Sequence, residues 1–227
     1  VNAYQNRFGR SELNVNSGKK LNEKWSTGLL GHASSMFGNI DHNGDGFRDI
    51  PMGDNLALMN RWQFQGKKME AQFGVNAYQD RKLGGQNTYF RDSPVGYGVH
   101  MNARHVDLYA KTGFFSKKPL RSFGVVYNLK YQEMNGAFGH RTFEGKEKRA
   151  YVNAIYDDIL GTSDHKIKVG ASFVGLMIEQ KADLLQQVRT EIVPGIFAEY
   201  TYSGARMNAV IGGRYDQHLT YGGQFSP

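Results

Sequence analysis

The sequence predicts an all-β chain, an antiparallel transmembrane β-barrel segment of about ten strands. Three observations predict this fold class: strict alternation of apolar and polar residues, hairpin turns at regular intervals, and aromatic residues close to those turns. The mean hydropathy is −0.56. Such a polar average is compatible with a barrel, because barrel strands face lipid with only every second residue.

The alternation is the strongest of these observations. In the segment Met69–Ala77, apolar residues occupy every second position, and polar residues such as Glu70 and Gln72 lie between them. Segments 122–132 and 166–173 show the same pattern. A period of two with one apolar face is the signature of a β-strand, and no comparable helical period occurs.

Turn signals divide the chain into hairpins. Five short turns are predicted, at 16–19, 65–67, 116–119, 161–164 and 203–205. Four longer polar stretches alternate with them, at 36–51, 84–94, 135–146 and 181–190. This alternation is typical of outer-membrane barrels, in which the periplasmic turns are short and the outer loops are long.

Aromatic residues cluster beside the short turns. Trp25 follows the first turn, Trp62 and Phe64 precede the second, and Phe114 and Phe123 flank the third. Aromatic rings tolerate water at one end, so barrels place them in girdles at the membrane interface. Aromatic residues are also good strand formers, which is the simpler explanation of the same positions.

Composition excludes several other classes. With 227 residues, of which 40% are hydrophobic and 13% aromatic, the chain is not disordered. No apolar run approaches the roughly 20 residues of a membrane helix. The absence of Cys excludes a disulfide framework and a thiolate metal site.

Charge and motifs argue against a nucleic-acid-binding protein and against an enzyme. The net charge is +7, but the lysine pairs at 19–20, 67–68 and 117–118 lie in or near turns and do not form one helical stripe. No nucleophile elbow and no phosphate-binding glycine loop is present. The sequence therefore predicts neither a catalytic site nor a nucleic-acid partner.

The first long polar stretch contains a candidate metal site. Residues 41–49 spell D-x-N-x-D-G-x-x-D, which resembles the start of a Ca²⁺-binding loop. The expected ligands are the side chains of Asp41, Asn43, Asp45 and Asp49 and the main-chain carbonyl of Phe47. Oxygen ligands at this spacing suit the hard Ca²⁺ ion.

The motif departs from an EF-hand at its end. Met52 stands where the bidentate Glu would be, so Asp54 or a residue of another loop must complete the shell. No helices are predicted on either side. A solvated turn rich in Asn, Asp and Gly, which needs no ion, is the alternative interpretation.

Several of these segments resemble one family. The runs 41–51, 60–62 and 66–72, with 111–114 and 212–225, are similar to the barrel of TonB-dependent outer-membrane receptors. Within that family the similarity is greatest to Bacteroidetes receptors for cobalamin and ferric siderophores. The resemblance extends over nearly the whole chain, although each motif is short.

The resemblance implies a specific function. It implies uptake of a large, scarce nutrient, a small-molecule metal chelate such as cobalamin or a ferric siderophore, across the bacterial outer membrane. Residues 1–227 would form a partial barrel domain of a larger, about 22-stranded barrel embedded in outer-membrane lipid. The expected partners are TonB, acting through a plug domain not visible in this sequence, and a surface lipoprotein. Outer loops of relatives can bind Ca²⁺, which suits residues 41–49.

Two alternatives remain open at the level of sequence. A small, passive porin-like barrel would show a closing contact between its first and last strands. A soluble Ca²⁺-binding β-sandwich would bury Phe73, Val125 and Val169 against each other in two packed sheets. In a barrel, by contrast, polar residues such as Arg61 and Lys130 would face the lumen.

Overall fold

The computed structural model describes residues 1–227 and contains fourteen strands. Its regular elements are all strands, and no candidate membrane-spanning helix is found. The strands are β1 (Asn2–Gln5), β2 (Arg10–Lys20), β3 (Trp25–Met36), β4 (Met52–Gln65), β5 (Met69–Gly85), β6 (Tyr89–Phe90), β7 (Ser93–Pro94), β8 (Gly98–Phe115), β9 (Ser122–Phe138), β10 (Arg141–Ile159), β11 (His165–Ala182), β12 (Leu185–Ser203), β13 (Asn208–His218) and β14 (Gly222–Ser226).

Twelve of these strands form one antiparallel sheet in chain order, and β6 and β7 form a small hairpin between β5 and β8. The predicted fold class, an all-β antiparallel partial barrel, is confirmed. The sheet has twelve strands and not ten, because β1 and β14 add short strands at its two edges. These edges do not pair with each other, so the closing contact expected of a small porin-like barrel is not formed.

Four of the five short turns lie where they were predicted. The turn predicted at 16–19 is wrong, because β2 continues to Lys20 and the chain turns at 21–24. There the side-chain oxygen of Asn22 accepts hydrogen bonds from the backbone amides of Lys24 and Trp25, both at 2.9 Å. Such an Asx turn fixes the reversal locally and leaves Gly18 paired in the sheet.

Two of the four predicted long loops are wrong. Residues 135–146 and 181–190 belong mostly to paired strands that reverse through tight turns at 139–140 and 183–184. Gly139 and Asp183 have positive φ values of 61° and 52° at these turns. Where a strand extends beyond the apolar band, both of its faces can be polar, so the period of two is lost from the sequence although the strand continues.

The remaining two long connections, 37–51 and 86–97, lie at one end of the sheet. They share this end with the turns between β9 and β10 and between β11 and β12. The short turns lie at the opposite end. This is the distribution of outer loops and periplasmic turns in outer-membrane barrels.

One face of the sheet carries a continuous apolar band. Within β8 and β9 the band runs from Val106 to Phe114 and from Phe123 to Tyr131, about 27 Å along each strand at the usual rise. The register aligns apolar residues across many strands, as in the row Phe73, Ala110, Tyr127, Val152 and Phe173. This height is close to that of the lipid-facing band of a barrel, about 25 Å.

The sheet has no second layer. Only 9 of the 227 residues are buried, and Phe73 and Val169 are 39% and 40% exposed. Phe73, Val125 and Val169 share the apolar face of the same sheet, so the predicted β-sandwich alternative is wrong. A continuous exposed apolar face of this extent requires a partner such as lipid.

Aromatic residues border the apolar band at the short-turn end. The ring of Trp25 lies 5.0 Å from Phe64, 6.2 Å from Phe73 and 6.5 Å from Trp62 between centroids. Phe114 and Phe123 stack across β8 and β9 at 6.4 Å. These rings lie on the apolar face, which is the arrangement expected of an interfacial girdle.

Candidate functional site

The face opposite the apolar band is polar. Arg61 and Lys130, which were predicted to face the lumen, lie on it together with Gln72, as the strand register shows. Polar side chains on this face pair with each other across strands. Because no second layer covers this face, the paired polar side chains are accessible. The face can therefore contact water, solute or another part of a protein.

Two hydrogen-bond networks organise the polar face. In the first, the carboxylate of Asp107 accepts from the side-chain amides of Asn76 at 3.2 Å and Asn128 at 2.6 Å. Beside it, the Nζ atom of Lys130 lies 3.1 Å from the Glu147 carboxylate. The side-chain oxygen of Asn76 is buried and has no partner, so it remains able to accept a hydrogen bond.

The second network lies near the last strands. The guanidinium of Arg214 donates to both carboxylate oxygens of Asp216, at 2.5 and 2.6 Å, and to the hydroxyl of Ser172 at 2.7 Å. It also lies 5.9 Å from the ring centroid of Phe197. A bidentate pair with two further contacts fixes this arginine in place.

At the loop end, segments 37–51 and 86–97 join to form what we term the outer-loop platform. The main-chain amide of Arg48 donates to Gly85, and that of Asn87 donates to Gly46. An isolated β-bridge also connects Phe47 and Gln86. Backbone pairing of this kind makes two separate connections into one structural unit.

Asp41 links the two segments through its side chain. Its Oδ1 atom accepts from the amides of Gly44 at 2.8 Å and Asp45 at 3.2 Å. Its Oδ2 atom accepts from the Gly46 amide at 2.9 Å and from the Asn87 side chain at 2.7 Å. Gly44 and Gly46 have φ values of 71° and 85°, a left-handed conformation that glycine adopts at no steric cost.

The other predicted ligands lie in the same tight loop. The Asn43 amide donates to Asp45 at 3.0 Å, and Asp45 Oδ1 accepts from the backbone amide of Phe47 at 2.8 Å. Asp49 faces His42, whose backbone amide and Nδ1 atom lie 2.8 and 2.9 Å from its Oδ2 atom. The hydrogen bond from the His42 amide, with that from its ring, lowers the pKa of Asp49 below its ordinary value.

The oxygen atoms of the predicted ligands at 41–49 suit a hard cation. Their present hydrogen bonds, however, do not leave a metal site ready to receive one. A carboxylate has about four lone-pair positions, and those of Asp41 are all used. No group of three His, Asp or Glu side chains comes together with metal-binding geometry. An ion at residues 41–49 would therefore have to displace at least one hydrogen bond of Asp41.

Arg48 fastens the platform from inside. It is 8% exposed, and its guanidinium donates to the carbonyls of Gln86 at 2.7 Å, Asn87 at 3.2 Å and Tyr89 at 2.7 Å. The same group stacks over the ring of Phe90 at 4.8 Å. It has no carboxylate partner, and burial lowers the pKa of Arg48.

Tyr89 docks the platform onto the sheet. It is 7% exposed, and its ring lies directly over Gly98 at the start of β8, where a Cβ atom would occupy the same space. Its hydroxyl lies 3.2 Å from the Nδ1 atom of His100. The platform is therefore anchored at Arg48 and at Tyr89.

Neither anchor was predicted from the sequence. The residues predicted as metal ligands are brought together, but within one loop, and the contacts of Arg48 and Asn87 join segments about forty residues apart. A buried arginine that donates only to main-chain carbonyls cannot be recognised from the sequence, because it requires no acidic residue at a fixed spacing. Gly98, the first residue of β8, is consistent with a close approach of another group, because a glycine in a strand leaves space for it.

No family model matches the sequence. A search of curated proteins also found no significant match.

Among solved structures, the chain is similar to the outer membrane transporter YddB from Escherichia coli, with a TM-score of 0.68 and 8% sequence identity. The match includes 96% of this chain and 35% of that protein, so the chain spans about a third of the transporter's length. At this identity the similarity concerns the fold. The chain thus has the fold of part of an outer-membrane transporter barrel.

Proposed function

We propose that the protein takes up a large, scarce nutrient across the bacterial outer membrane in a TonB-dependent manner, and that this chain supplies barrel wall and outer loops. The observation that carries the proposal is the single twelve-stranded sheet with an apolar band on one face and polar networks on the other. The similarity of 96% of the chain to part of an outer-membrane transporter supports it.

Each part of the chain has a role in this proposal. The apolar band contacts outer-membrane lipid, and the polar face lines the lumen, where it meets the solute and a plug domain. The outer-loop platform is the first surface that an incoming solute meets. The proposed solute is a metal chelate such as cobalamin or a ferric siderophore, which a surface lipoprotein helps to capture and TonB helps to import.

A passive pore is the competing function. The open edges at β1 and β14 favour a larger barrel over a small closed one, because each unpaired backbone group in lipid costs several kcal/mol. A larger barrel has room for a plug and a large solute.

Whole-cell uptake tests the proposal. We expect cells that carry the full-length protein to accumulate radiolabelled cobalamin or a ferric siderophore, and we expect accumulation to fall to background when TonB is removed. The physical reason is that import against a gradient of a scarce solute requires energy from outside the barrel.

The controls separate membrane insertion from transport. Extraction of the protein from washed membranes should require detergent, and partition into buffer alone would reject the membrane function altogether. Uptake that is unchanged without TonB would instead indicate a passive pore. A second solute of similar size but without metal tests whether the chelate itself is recognised.

We also propose that the loop 41–49 binds Ca²⁺ through Asp41, Asn43, Asp45 and Asp49 and the Phe47 carbonyl. Ordering the loop in advance reduces the entropy lost when a solute binds. The Asn87 side chain donates a hydrogen bond to Asp41. An ion that fixes Asp41 would therefore also order the second platform segment, 86–97. The proposal is supported by the donor set and its tight clustering.

Calorimetric titration tests the calcium proposal. We expect the protein to bind Ca²⁺ with a dissociation constant of about 10⁻⁴ to 10⁻³ M, as extracellular sites do. Asp45→Ala removes one charged ligand and should abolish the measurable heat. The matched control is Asp92→Ala, an exposed carboxylate in the other platform segment, which should titrate as the wild type. Equal heats for wild type and Asp45→Ala would reject the site.

A further inference from the structure

A groove crosses the apolar face near the loop end of the band. It has a volume of about 530 Å³, which lies within the range of small-molecule sites. The register places Leu108, Leu129, Ala150, Gly175 and Ile192 in one row across β8 to β12. Because the two central residues are small and the outer ones large, the face is hollowed along β10 and β11.

The two ends of the groove differ. Toward the short turns it is closed by Phe173, whose ring leans over Gly175 so that a Cβ atom there would lie 3.3 Å from Cε1 of the ring. Toward the loops it ends at Lys148 and Tyr131, which are direct cross-strand neighbours. The groove is therefore apolar along its length and cationic at one end.

Lys148 is a cation without a partner in the protein. It is exposed and lies between the neutral side chains of Tyr131 and Met177 in the register. The ion pairs of β10 are formed by Glu147 and Asp158 and do not include it. An ammonium at the upper edge of an apolar band lies at the depth of lipid headgroups, where it attracts anionic groups.

We propose that this groove is a lipid-binding site that holds one acyl chain of a phosphorylated outer-leaflet lipid of the lipid A class, with a lipid phosphate at the Lys148 ammonium. The inference rests on the proposed membrane orientation, in which the long loops face outward. Charge complementarity with Lys148 and the apolar floor of the groove both favour this occupant. A peptide would leave its polar backbone groups without hydrogen-bond partners here, whereas an acyl chain has no polar groups to satisfy.

Lipid titration in micelles tests the site. The purified full-length protein in decyl maltoside is titrated with lipid A, and bound lipid is counted by native mass spectrometry. We expect Lys148→Met to weaken binding about fivefold, as the loss of one lysine from an anionic lipid surface does. We expect Ala150→Phe, which fills the groove floor, to abolish binding of the tightly held lipid.

Two matched variants serve as controls. Lys111→Met removes the same charge from an exposed lysine on the opposite face of the sheet. Ala154→Phe adds the same ring on the apolar face, four residues further along β10 and outside the groove. Both should bind lipid A as the wild type does, and all four variants should retain the heat-dependent gel mobility of a folded barrel.

The lipid itself provides a second comparison. Dephosphorylated lipid A should bind wild type and Lys148→Met equally, because the phosphate is then absent from both complexes. Equal binding of phosphorylated lipid A by wild type and Lys148→Met would overturn the inference while leaving the transport function intact. Partition of the protein into buffer without detergent would instead overturn the proposed function.

Discussion

Substitution Arg48→Ala is expected to detach the two segments of the outer-loop platform from each other. The guanidinium donates three hydrogen bonds to main-chain carbonyls at 2.7 to 3.2 Å, and the side chain is almost completely buried. Removing this buried charged donor takes the side-chain partner from the Tyr89 carbonyl, whereas the Gln86 carbonyl keeps the Tyr89 amide at 3.0 Å and the Asn87 carbonyl keeps the Asn39 side chain at 3.2 Å. We expect the free energy of opening the platform to fall by about 3 kcal/mol. This is less than the sum of three separate hydrogen bonds to a charged group, because bonds made by one side chain are not additive.

Hydrogen exchange and limited proteolysis measure this opening. The backbone amides of residues 86–90 should exchange about a hundredfold faster in Arg48→Ala, which corresponds to about 3 kcal/mol. Arg48→Lys should also open the platform, because a single ammonium cannot reproduce the planar fork of donors. Arg91→Ala, an exposed arginine in the same segment, is the matched control. Unchanged protease sensitivity in Arg48→Ala would show that backbone pairing alone holds the platform.

Substitution Gly98→Ala is expected to displace Tyr89 and release the platform from the sheet. The Tyr89 ring occupies the space that the new methyl group requires, and the ring is itself buried. Overpacking of this kind costs about 1 to 3 kcal/mol. The clash is steric and not conformational, because Gly98 does not have a positive φ value.

A second glycine provides the control. Gly84 lies next to Val99 in the paired strand, and a Cβ atom there would meet nothing. Gly84→Ala should leave exchange in residues 86–97 unchanged, whereas Gly98→Ala should accelerate it and weaken the hydrogen bond between Tyr89 and His100. Equal exchange rates in the two variants would mean that the Tyr89 ring moves aside freely and does not anchor the platform.

Both variants bear on the proposed transport. In the proposed function the platform is the surface that a solute meets first, and an ordered platform would lower the entropy lost on binding. If solute capture depends on that order, Arg48→Ala and Gly98→Ala should impair uptake at low solute concentration more than at saturating concentration. The twelve-stranded sheet should remain folded, since most of the backbone hydrogen bonds lie between its strands.

The fold class could be predicted from the sequence because it depends on a local pattern. A period of two along Met69–Ala77 or 122–131 determines which face of a strand is apolar, and the turn signals determine where hairpins reverse. The strand prediction was wrong where apolar and polar residues no longer alternate. In 135–146 and 181–190 the strands continue with polar residues on both faces, and β1 and β14 are too short to show a period.

The sequence by itself determined the antiparallel sheet, its apolar face and the cluster of oxygen donors at 41–49, because each follows from residues close together in the chain. Only the tertiary structure decided how the loops meet. Arg48 reaches carbonyls about forty residues away, Tyr89 covers Gly98, and Lys148 lies at one end of a groove whose floor is shared by several strands. These contacts depend on the register of the whole sheet, and no local pattern records which distant residues the register will bring together.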